Sequence, residues 1–386
     1  MKILHTSDWH IGKRLNGRER LDEQESVLDE IAQICDDEKI ELVLVAGDIF
    51  DTYLPGAEAE ALFYKKIKKI AGEDRAVLII RVNHDDGVRL SAGAPLGEEL
   101  GIYIVGNERK EFPLHSQRKV RPVRSGEGFV VFENGRGEKV FVNTLPYPNE
   151  ARFKQEKSDL PYAERMKGWI ETGEKGNDEG LPSVFLSHIF VLGGEKADGE
   201  REIDLGGARA VSCETLPKAD YIALGHLHKP QKMGKGHCYY SGSPLQYSFD
   251  EANTQKRVKV FELTRTGVTD LKDIFLSCGR KLCRLEATDP AMAEVLLKAN
   301  AQYLAELTLR LKEPLTTDEA ARLTNHENLV ALLTEVNGSQ SFDFVSRKGL
   351  SDEKLFEEFY RSLYGEEPEE ALKEMFLSAM QASAGE

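Results

Sequence analysis

The first hundred residues alternate short apolar runs with longer amphipathic stretches. The runs KILHTS, ELVLVAG, AVLII and IYIVG have the length and the β-branched content of buried strands. After the first run, one helix face is indicated by the spacing of Val27, Leu28, Ile31, Ile34 and Cys35. Strands that alternate with helices predict βαβ units, and these form a mostly parallel sheet with helices over its faces.

Two further helices are expected in this region. One follows Pro55-Gly56, and the next runs from about Asp86 to Leu100. From about residue 110 paired strands replace the alternation, because GFVVF and KVFVN flank Asn134-Gly135, a dipeptide typical of hairpin turns. VFLSHIF and DYIALGHLH restore strands that end in polar loops, and VKVFEL near residue 260 is the last strand of this part. We therefore predict a large α/β domain with a mixed sheet over residues 1–263.

The rest of the chain predicts two smaller parts. Residues 279–340 have the pattern strand, helix, strand, helix, strand, which indicates a small α+β domain. Residues 350–383 contain two amphipathic helices, with Pro368 at a favoured first-turn position. Their aromatic and methionine-rich stripes suit either packing on their own domain or binding to a partner helix.

The net charge of −15 argues against a nucleic-acid partner, since phosphate neutralisation by Lys and Arg dominates such binding. The distribution of charge weakens that objection. Residues 351–386 hold ten acidic and three basic side chains, a net of −7, so the other 350 residues carry −8. A nucleic-acid partner stays compatible with the large domain.

The five cysteines are scattered, and none forms a CxxC pair, so we expect reduced thiols in the core. No stretch of eighteen uninterrupted apolar residues is present, which predicts no membrane span. Met1 leads directly into a strand pattern and not into a signal sequence, so a cytoplasmic location is expected.

Five polar motifs follow strands or strand-like runs: DWH at 8–10, GDIFD at 47–51, NHD at 83–85, SH at 187–188 and GHLH at 225–228. Ligands of open α/β sheets bind beyond the carboxyl ends of strands, so these loops can converge on one crevice. Each motif alone has an ordinary explanation, because Gly-Asp marks common turns and surface histidines are frequent. The conjunction of all five is what indicates a site.

The motifs supply the ligands of a two-metal hydrolase. Two divalent ions activate water and neutralise charge on a phosphoryl group, and they need carboxylates mixed with neutral ligands. The candidate metal ligands are Asp8, His10, Asp48, Asn83, His188, His226 and His228. Oxygen and nitrogen ligands without thiolate favour manganese or iron over a structural zinc cage. We expect two divalent ions, manganese first, with iron or magnesium as alternatives.

The order of these motifs resembles that of the calcineurin-like metallophosphoesterase superfamily. The longer strings ILHTSDWHIGKRL, NHDDGVRLSAGAPL, ALGHLHKPQ and YYSGSP are similar to bacterial DNA nuclease subunits of that superfamily. The resemblance is strong over residues 1–263. Over the remainder, only the arrangement of the predicted elements is similar. It implies a mixed-sheet sandwich with a small α+β capping domain, which would bind DNA, and a C-terminal helical pair.

Carried over by position, the resemblance implies a role for each ligand. Asp8, His10 and His228 would hold one ion, whereas Asn83, His188 and His226 would hold the other, with Asp48 bridging. His84 would stand beside the phosphate as general acid or oxyanion stabiliser, and Asp51 would orient it.

Arg14, Arg18 and Arg20 follow the Asp8 loop, so we expect them to border the metal crevice and to contact the DNA backbone. The family has Gly before Asn-His-Asp, whereas this chain has Val82, and a β-branched residue tolerates positive φ poorly. Reduced activity is therefore one expectation, which Val82→Gly would relieve.

The resemblance implies a nuclease subunit that degrades duplex ends, cuts single strands, and acts in DNA repair, recombination and replication. It also implies a homodimer, and an SMC-like ATPase partner docked on residues 350–383. The chain has no GxxxxGK[ST] phosphate loop, so ATP dependence would come from that partner. Two alternatives stay open: a small-molecule or protein phosphatase of the same superfamily, and a scaffold with little activity.

Overall fold

This computed structural model describes residues 1–80, 94–106, 112, 117–147, 160–197, 210–336, 368 and 373. Within them the helices are α1 (Leu21–Asp37), α2 (Ala57–Ala71), α3 (Ala94–Glu99), α4 (Tyr162–Glu174), α5 (Pro290–Ala299) and α6 (Thr317–Thr324). The strands are β1 (Lys2–Thr6), β2 (Leu42–Val45), β3 (Ala76–Ile80), β4 (Ile102–Val105), β5 (Arg121–Gly126), β6 (Phe129–Glu133), β7 (Lys139–Leu145), β8 (Ser183–His188), β9 (Tyr221–Gly225), β10 (Gln231–Lys232), β11 (Cys238–Tyr240), β12 (Arg257–Thr264), β13 (Gly267–Phe275), β14 (Leu282–Ala287), β15 (Leu304–Leu311) and β16 (Leu329–Val336).

The chain divides into two compact units. The first comprises Met1–Leu309 and Leu315–Thr334, and the second comprises Arg310–Pro314 and Glu335–Glu386. All the elements that position the candidate site belong to the first unit. The proposed domain boundaries 1–263, 279–340 and 350–383 stay predictions.

Two mixed sheets form the centre of the first unit. The six-stranded sheet has the order β13-β12-β1-β2-β3-β4, in which β1 to β4 are parallel and β12 and β13 are antiparallel. The seven-stranded sheet has the order β10-β11-β9-β8-β7-β6-β5, with β7, β8, β9 and β11 parallel. The predicted change from parallel to paired strands is confirmed. Strand β13 was not predicted, because it lies at the sheet edge and its side chains are largely half-exposed or exposed.

Alternating side chains of the six-stranded sheet enter two different cores. Ile3 and Leu44 pack with Val130 and Leu186 of the other sheet, so the two sheets lie face to face. Leu4 and Val43 point the opposite way and pack with helices α1 and α2, as part of a separate cluster. Helix α4 covers the outer face of the seven-stranded sheet through Met166 and Ile170. The result is a helix-covered sandwich of two sheets.

A three-stranded sheet of order β14-β15-β16 follows the sandwich, with β14 and β15 parallel. Helix α5 begins where the Asp289 side chain accepts a hydrogen bond from Met292 N, at 2.8 Å. Helix α6 begins with a reciprocal capping box between Thr316 and Glu319. The predicted order of strand, helix, strand, helix, strand is confirmed.

All five cysteines are free, but Cys213 is exposed and only Cys35 and Cys238 are buried, so the prediction of core thiols is wrong at Cys213. Across the described part of the chain, no helix has the length and apolar character that crossing a membrane requires. Val82 lies outside the described residues, and so do the two C-terminal helices predicted at 350–383, apart from the single residues Pro368 and Lys373.

Candidate metal centre

The motif residues of β1, β2, β8 and β9 come together at one edge of the sandwich. Asp8 follows β1, and Asp48 follows the parallel neighbour β2. His188 ends β8, while His226 and His228 follow the parallel neighbour β9. Because the two sheets face each other, the carboxyl ends of both strand pairs supply side chains to one crevice.

The backbone at these strand ends is strained. Among the described motif residues, four that are not glycine have positive φ angles: Asp8 at 53°, His10 at 44°, Asp48 at 47° and His226 at 108°. Non-glycine residues in this region cost about 1 to 3 kcal/mol each, and such strain concentrates at functional sites. A Cβ on Gly225 would lie 1.8 Å from the carbonyl oxygen of Ala46, so this position requires glycine.

His10 and His228 form one half of the centre. Their Nε2 atoms lie 3.0 Å apart, and both side chains are largely buried. Asp8, His10 and His228 each offer one ligand atom, and these atoms all lie within 4.8 Å of one another. Nε2 of His10 also lies 3.5 Å from Oδ2 of Asp48. Two imidazoles and two carboxylates therefore converge on one small volume.

His188 forms the other half, together with Asp8 and Asp48. Its Nε2 atom lies 3.5 Å from Asp48 Oδ2, and its Nδ1 atom lies 2.8 Å from the carbonyl oxygen of Ala46. Since a carbonyl only accepts hydrogen bonds, Nδ1 carries the proton and Nε2 presents a lone pair to the centre.

His226 lies next to His188, with 5.3 Å between the ring centroids. Its backbone N–H donates to Oδ1 of Asp8 at 2.9 Å. Asp8 also accepts a hydrogen bond from Ser7 Oγ at 2.5 Å. The carboxylate of Asp8 is thereby fixed between the two strand ends.

Burial controls protonation in this centre. Burial raises the pKa of Asp8 to about 6, with His188 lowering it and the nearby charge of Asp48 adding to the rise. Burial also lowers the pKa of His226 to about 3, and His188 lowers it further. At neutral pH the carboxylate of Asp8 is charged and the His226 imidazole is neutral, which are the forms that bind divalent cations.

The side chains present fit divalent metal ions. Oδ1 of Asp48 is buried and has no hydrogen-bond partner in the described part of the chain. Asp8 is fully buried beside it, so two carboxylates share a site with the imidazoles of His10, His188 and His228. Buried charge is normally paired or bound to metal. A cation between these oxygen and nitrogen atoms would provide that pairing.

The predicted ligands Asp8, His10, Asp48, His188, His226 and His228 are brought together by the structure. Asn83 and His84 lie outside the described residues, so their places in the site stay predictions. Asp51 was expected to orient His84. Among the described residues, its Oδ1 atom lies 2.8 Å from Lys13 Nζ and 3.6 Å from Nδ1 of His10.

Sequence patterns did not identify several polar residues around the metal centre. Gln24 in helix α1 donates to the carbonyl oxygen of His10 at 2.9 Å. Tyr247 packs against the rings of His10 and His228 and donates to the carbonyl oxygen of Trp9. These contacts join residues far apart in sequence, which no local pattern reveals.

The three arginines expected to contact DNA have different environments. Arg14 has a 60% exposed side chain and pairs with Glu19. Arg18 is 32% exposed and donates to the carbonyl oxygen of Glu327 at 2.5 Å. Arg20 is buried, and its guanidinium binds Glu23 at 2.9 Å and the carbonyl oxygen of Gln246. Of the three, Arg14 is the one whose charge faces solvent most.

A sandwich of two mixed sheets, with clustered Asp and His side chains at the strand ends, defines the class of metal-dependent phosphoesterases. Comparison with known proteins agrees with this class. The model of the family "calcineurin-like phosphoesterase" matches residues 1–230. The chain belongs to the calcineurin-like phosphoesterase family, which confirms the resemblance and the fold predicted from the motifs. It is a hydrolase of phosphodiester bonds that uses divalent metal ions.

Two similar proteins, both SbcD subunits of SbcCD nucleases, extend the comparison to more than nine tenths of the chain. The SbcD protein of Bacillus subtilis (strain 168) is 36% identical over 396 residues, which covers 98% of this chain and 97% of that protein. The SbcD protein of Staphylococcus epidermidis is 28% identical over 372 residues, which covers 94% of this chain and 93% of that protein.

Proposed function

We propose that this chain is the nuclease subunit of a DNA end-processing complex, a double-strand exonuclease and single-strand endonuclease. One observation carries the proposal. The phosphoesterase family model ends at residue 230, whereas the similarity to the Bacillus subtilis nuclease subunit covers 98% of this chain. The region after residue 230 is therefore also shared with nuclease subunits. A phosphatase of small molecules has no evident use for that region.

Manganese is the proposed metal, with iron or magnesium as alternatives, since the donor set contains oxygen and nitrogen but no thiolate. Asp8, His10 and His228 would hold one ion, and Asn83, His188 and His226 the other, with Asp48 shared between them. Two such ions, when bound, activate water and neutralise the phosphoryl group. His84 would act beside the phosphate as general acid or oxyanion stabiliser.

DNA would approach along the loop that follows Asp8. Arg14 and Arg18 lie on this loop and keep part of their charge exposed, so they suit phosphate contacts. Arg20 is a weaker candidate, because its guanidinium is buried among protein partners. The proposed DNA-binding role of residues 279–340 adds a second surface.

Both similar proteins are named as parts of SbcCD nucleases, and we propose an SbcC-like, SMC-type ATPase as partner here. The apolar stripes of residues 350–383 would dock on it, and the complete subunit would be a homodimer. Deleting residues 350–386 should abolish co-purification with such an ATPase while retaining hydrolysis of a small diester. A cytoplasmic location stays a prediction.

The central test is cleavage of an end-labelled DNA duplex with Mn²⁺, alongside an aryl phosphodiester. The wild-type chain should cut the duplex and lose activity in EDTA. Asp48→Asn and His84→Ala should each lower the rate by about 100-fold or more. His237→Ala is the matched control, because this exposed histidine lies outside the motifs.

The outcomes separate the alternatives. Hydrolysis of the aryl diester without cleavage of DNA would rule out the nuclease assignment and favour a phosphatase. Failure to hydrolyse either substrate, with Mn²⁺ bound, would favour the scaffold.

A further inference from the structure

A buried ion pair lies directly behind His228. Glu251 is fully buried, Lys256 is 6% exposed, and the ammonium of Lys256 binds the Glu251 carboxylate. Lys256 Nζ also donates to the carbonyl oxygen of His228 at 2.8 Å and to Ser243 Oγ at 2.8 Å. An ammonium has three donors, so these contacts account for all of them.

The other carboxylate oxygen of Glu251 faces the imidazole. Oε1 lies 3.6 Å from Nδ1 of His228, and it accepts the backbone N–H groups of Tyr247 and Ser248 at 3.1 Å each. Glu251 is therefore held by Lys256 and by two backbone N–H groups, in addition to its contact with the His228 ring. Its position does not depend on His228 alone.

The backbone of this segment also approaches His228 closely. Ser243 N donates to the carbonyl oxygen of His228 at 3.2 Å. Gly242 has a φ of +76°, and a Cβ there would lie 2.6 Å from the same carbonyl oxygen. Residues 242–256 thus contact both the backbone and the ring of His228.

From this geometry we infer that Glu251 is a positioning residue, held by Lys256, which fixes the His228 imidazole with its proton on Nδ1 and its Nε2 lone pair in the metal centre. A carboxylate at Nδ1 fixes the tautomer and raises the basicity of a histidine ligand. The inference rests on the proposed metal-binding role of His228. It assigns to Glu251 a function beyond its capping of the short helix Phe249–Glu251.

Two other histidines of the candidate metal centre also have a partner near Nδ1. Nδ1 of His188 donates to a backbone carbonyl, and Nδ1 of His10 faces Asp51. The partner of His228 is Glu251. It differs from the partners of His188 and His10 because it is a buried carboxylate paired with a buried lysine. Removing Glu251 therefore has two separable effects: it leaves Lys256 without its counter-charge, and it releases the ring of His228.

The test uses the full chain and four variants: Glu251→Gln, Lys256→Met, the double variant Glu251→Gln/Lys256→Met, and His228→Ala. Mn²⁺ affinity is measured by calorimetric titration, and thermal unfolding is measured in EDTA. Glu251→Gln should weaken one Mn²⁺ site by about 10- to 100-fold and leave the other unchanged. It should also lower the unfolding temperature in EDTA.

The double variant distinguishes positioning from stability. Since it removes both charges, it should recover much of the unfolding temperature that Glu251→Gln loses, while its Mn²⁺ affinity stays weak. Wild-type Mn²⁺ affinity in the double variant would overturn the inference and leave the pair with a purely structural role. If His228→Ala itself binds Mn²⁺ like the wild type, the proposed metal centre fails, which is a different result.

A measurement on the wild-type chain keeps the inference testable if the variants fail to fold. Nitrogen NMR of histidine-labelled protein in EDTA reports the tautomer of each neutral imidazole. His228 should carry its proton on Nδ1. A proton on Nε2 of His228 would overturn the role of Glu251, whatever the variants do.

Discussion

Nε2 of His10 and Nε2 of His228 lie 3.0 Å apart in the candidate metal centre. Two imidazole nitrogens at this distance form a hydrogen bond only if one of them carries a proton. Yet Asp51 and Glu251 each lie 3.6 Å from the Nδ1 atom of one of these rings. Each carboxylate favours a proton on Nδ1, which leaves two lone pairs facing each other. A cation between the rings would resolve this conflict.

Replacing one of the paired carboxylates, Asp48, should have opposite effects on the stability of the metal-free and the metal-bound chain. Asp48→Asn should stabilise the metal-free chain at pH 8, because the charge of Asp48 contributes to the raised pKa of Asp8. The free energy of unfolding of the metal-free variant should therefore be higher than that of the wild type. In Mn²⁺ the same variant should be less stable than the wild type, because binding energy is lost.

Urea unfolding in EDTA and in Mn²⁺ measures both effects. Asp37→Asn, an exposed substitution at the end of α1, is the control, and its effect on stability should be the same in EDTA and in Mn²⁺. A metal-free Asp48→Asn chain that is less stable than the wild type would contradict the prediction.

Asp51 should act on metal binding through His10. Asp51→Asn removes the charge that lies 3.6 Å from Nδ1 of His10, so we expect Mn²⁺ affinity to fall by about 10- to 100-fold. Lys13→Met removes only the cation that pairs with Asp51 at 2.8 Å, and it should not weaken Mn²⁺ binding. Titration of both variants with Mn²⁺ checks this. Reduced turnover of Asp51→Asn with unchanged affinity would instead assign Asp51 to His84.

The sequence predicts the parts of the site that depend on local pattern. Asp8, Asp48 and His188 could be placed because each follows or ends an apolar strand, and parallel strands end at the same sheet edge. Glu251 could not be placed in the same way. Its Ser-x-x-Glu spacing with Ser248 indicates a helix cap, and its contact with His228 joins residues on separate loops.

Burial was the property that sequence patterns predicted least well. Arg20 follows the DWH loop, as Arg14 does, but tertiary contacts bury only Arg20. The sequence pattern does not reveal strand β13, because an edge strand leaves many side chains partly exposed and lacks a clear alternation of apolar and polar residues. The apolar runs of β1 and β2, by contrast, were sufficient to predict the centre of the sandwich.

The two arginines should differ in their effects when substituted. Arg14→Met should weaken DNA binding and lower the slope of log affinity against log salt by about 0.9, the value for one phosphate contact. Arg20→Met should instead destabilise the fold by about 3 kcal/mol, because it leaves Glu23 without its 2.9 Å partner. Fluorescence anisotropy at several salt concentrations, together with urea unfolding, separates the two effects. An unchanged salt slope for Arg14→Met would exclude it as a phosphate contact.

His5 gives a pH prediction that is separate from metal binding. Its imidazole is fully buried in β1, with Nδ1 3.1 Å from the Tyr221 hydroxyl and Nε2 3.2 Å from the carbonyl oxygen of Leu224. Burial lowers its pKa from 6.5 to about 3. Between these values the unfolded chain binds the proton and the folded chain does not. The free energy of unfolding should therefore fall with decreasing pH by about 1.4 kcal/mol per unit below pH 6.5.

His5→Gln removes this contribution while keeping polar atoms for both partners. Between pH 7 and pH 5 in EDTA, the variant should lose about 2 kcal/mol less stability than the wild type, as measured by urea unfolding. His226 also has a lowered pKa, but it contributes equally to both chains and cancels in the comparison. His237→Gln, at an exposed position, should behave like the wild type. Equal losses in His5→Gln and the wild type would mean that His5 takes up a proton in the folded chain as readily as in the unfolded one.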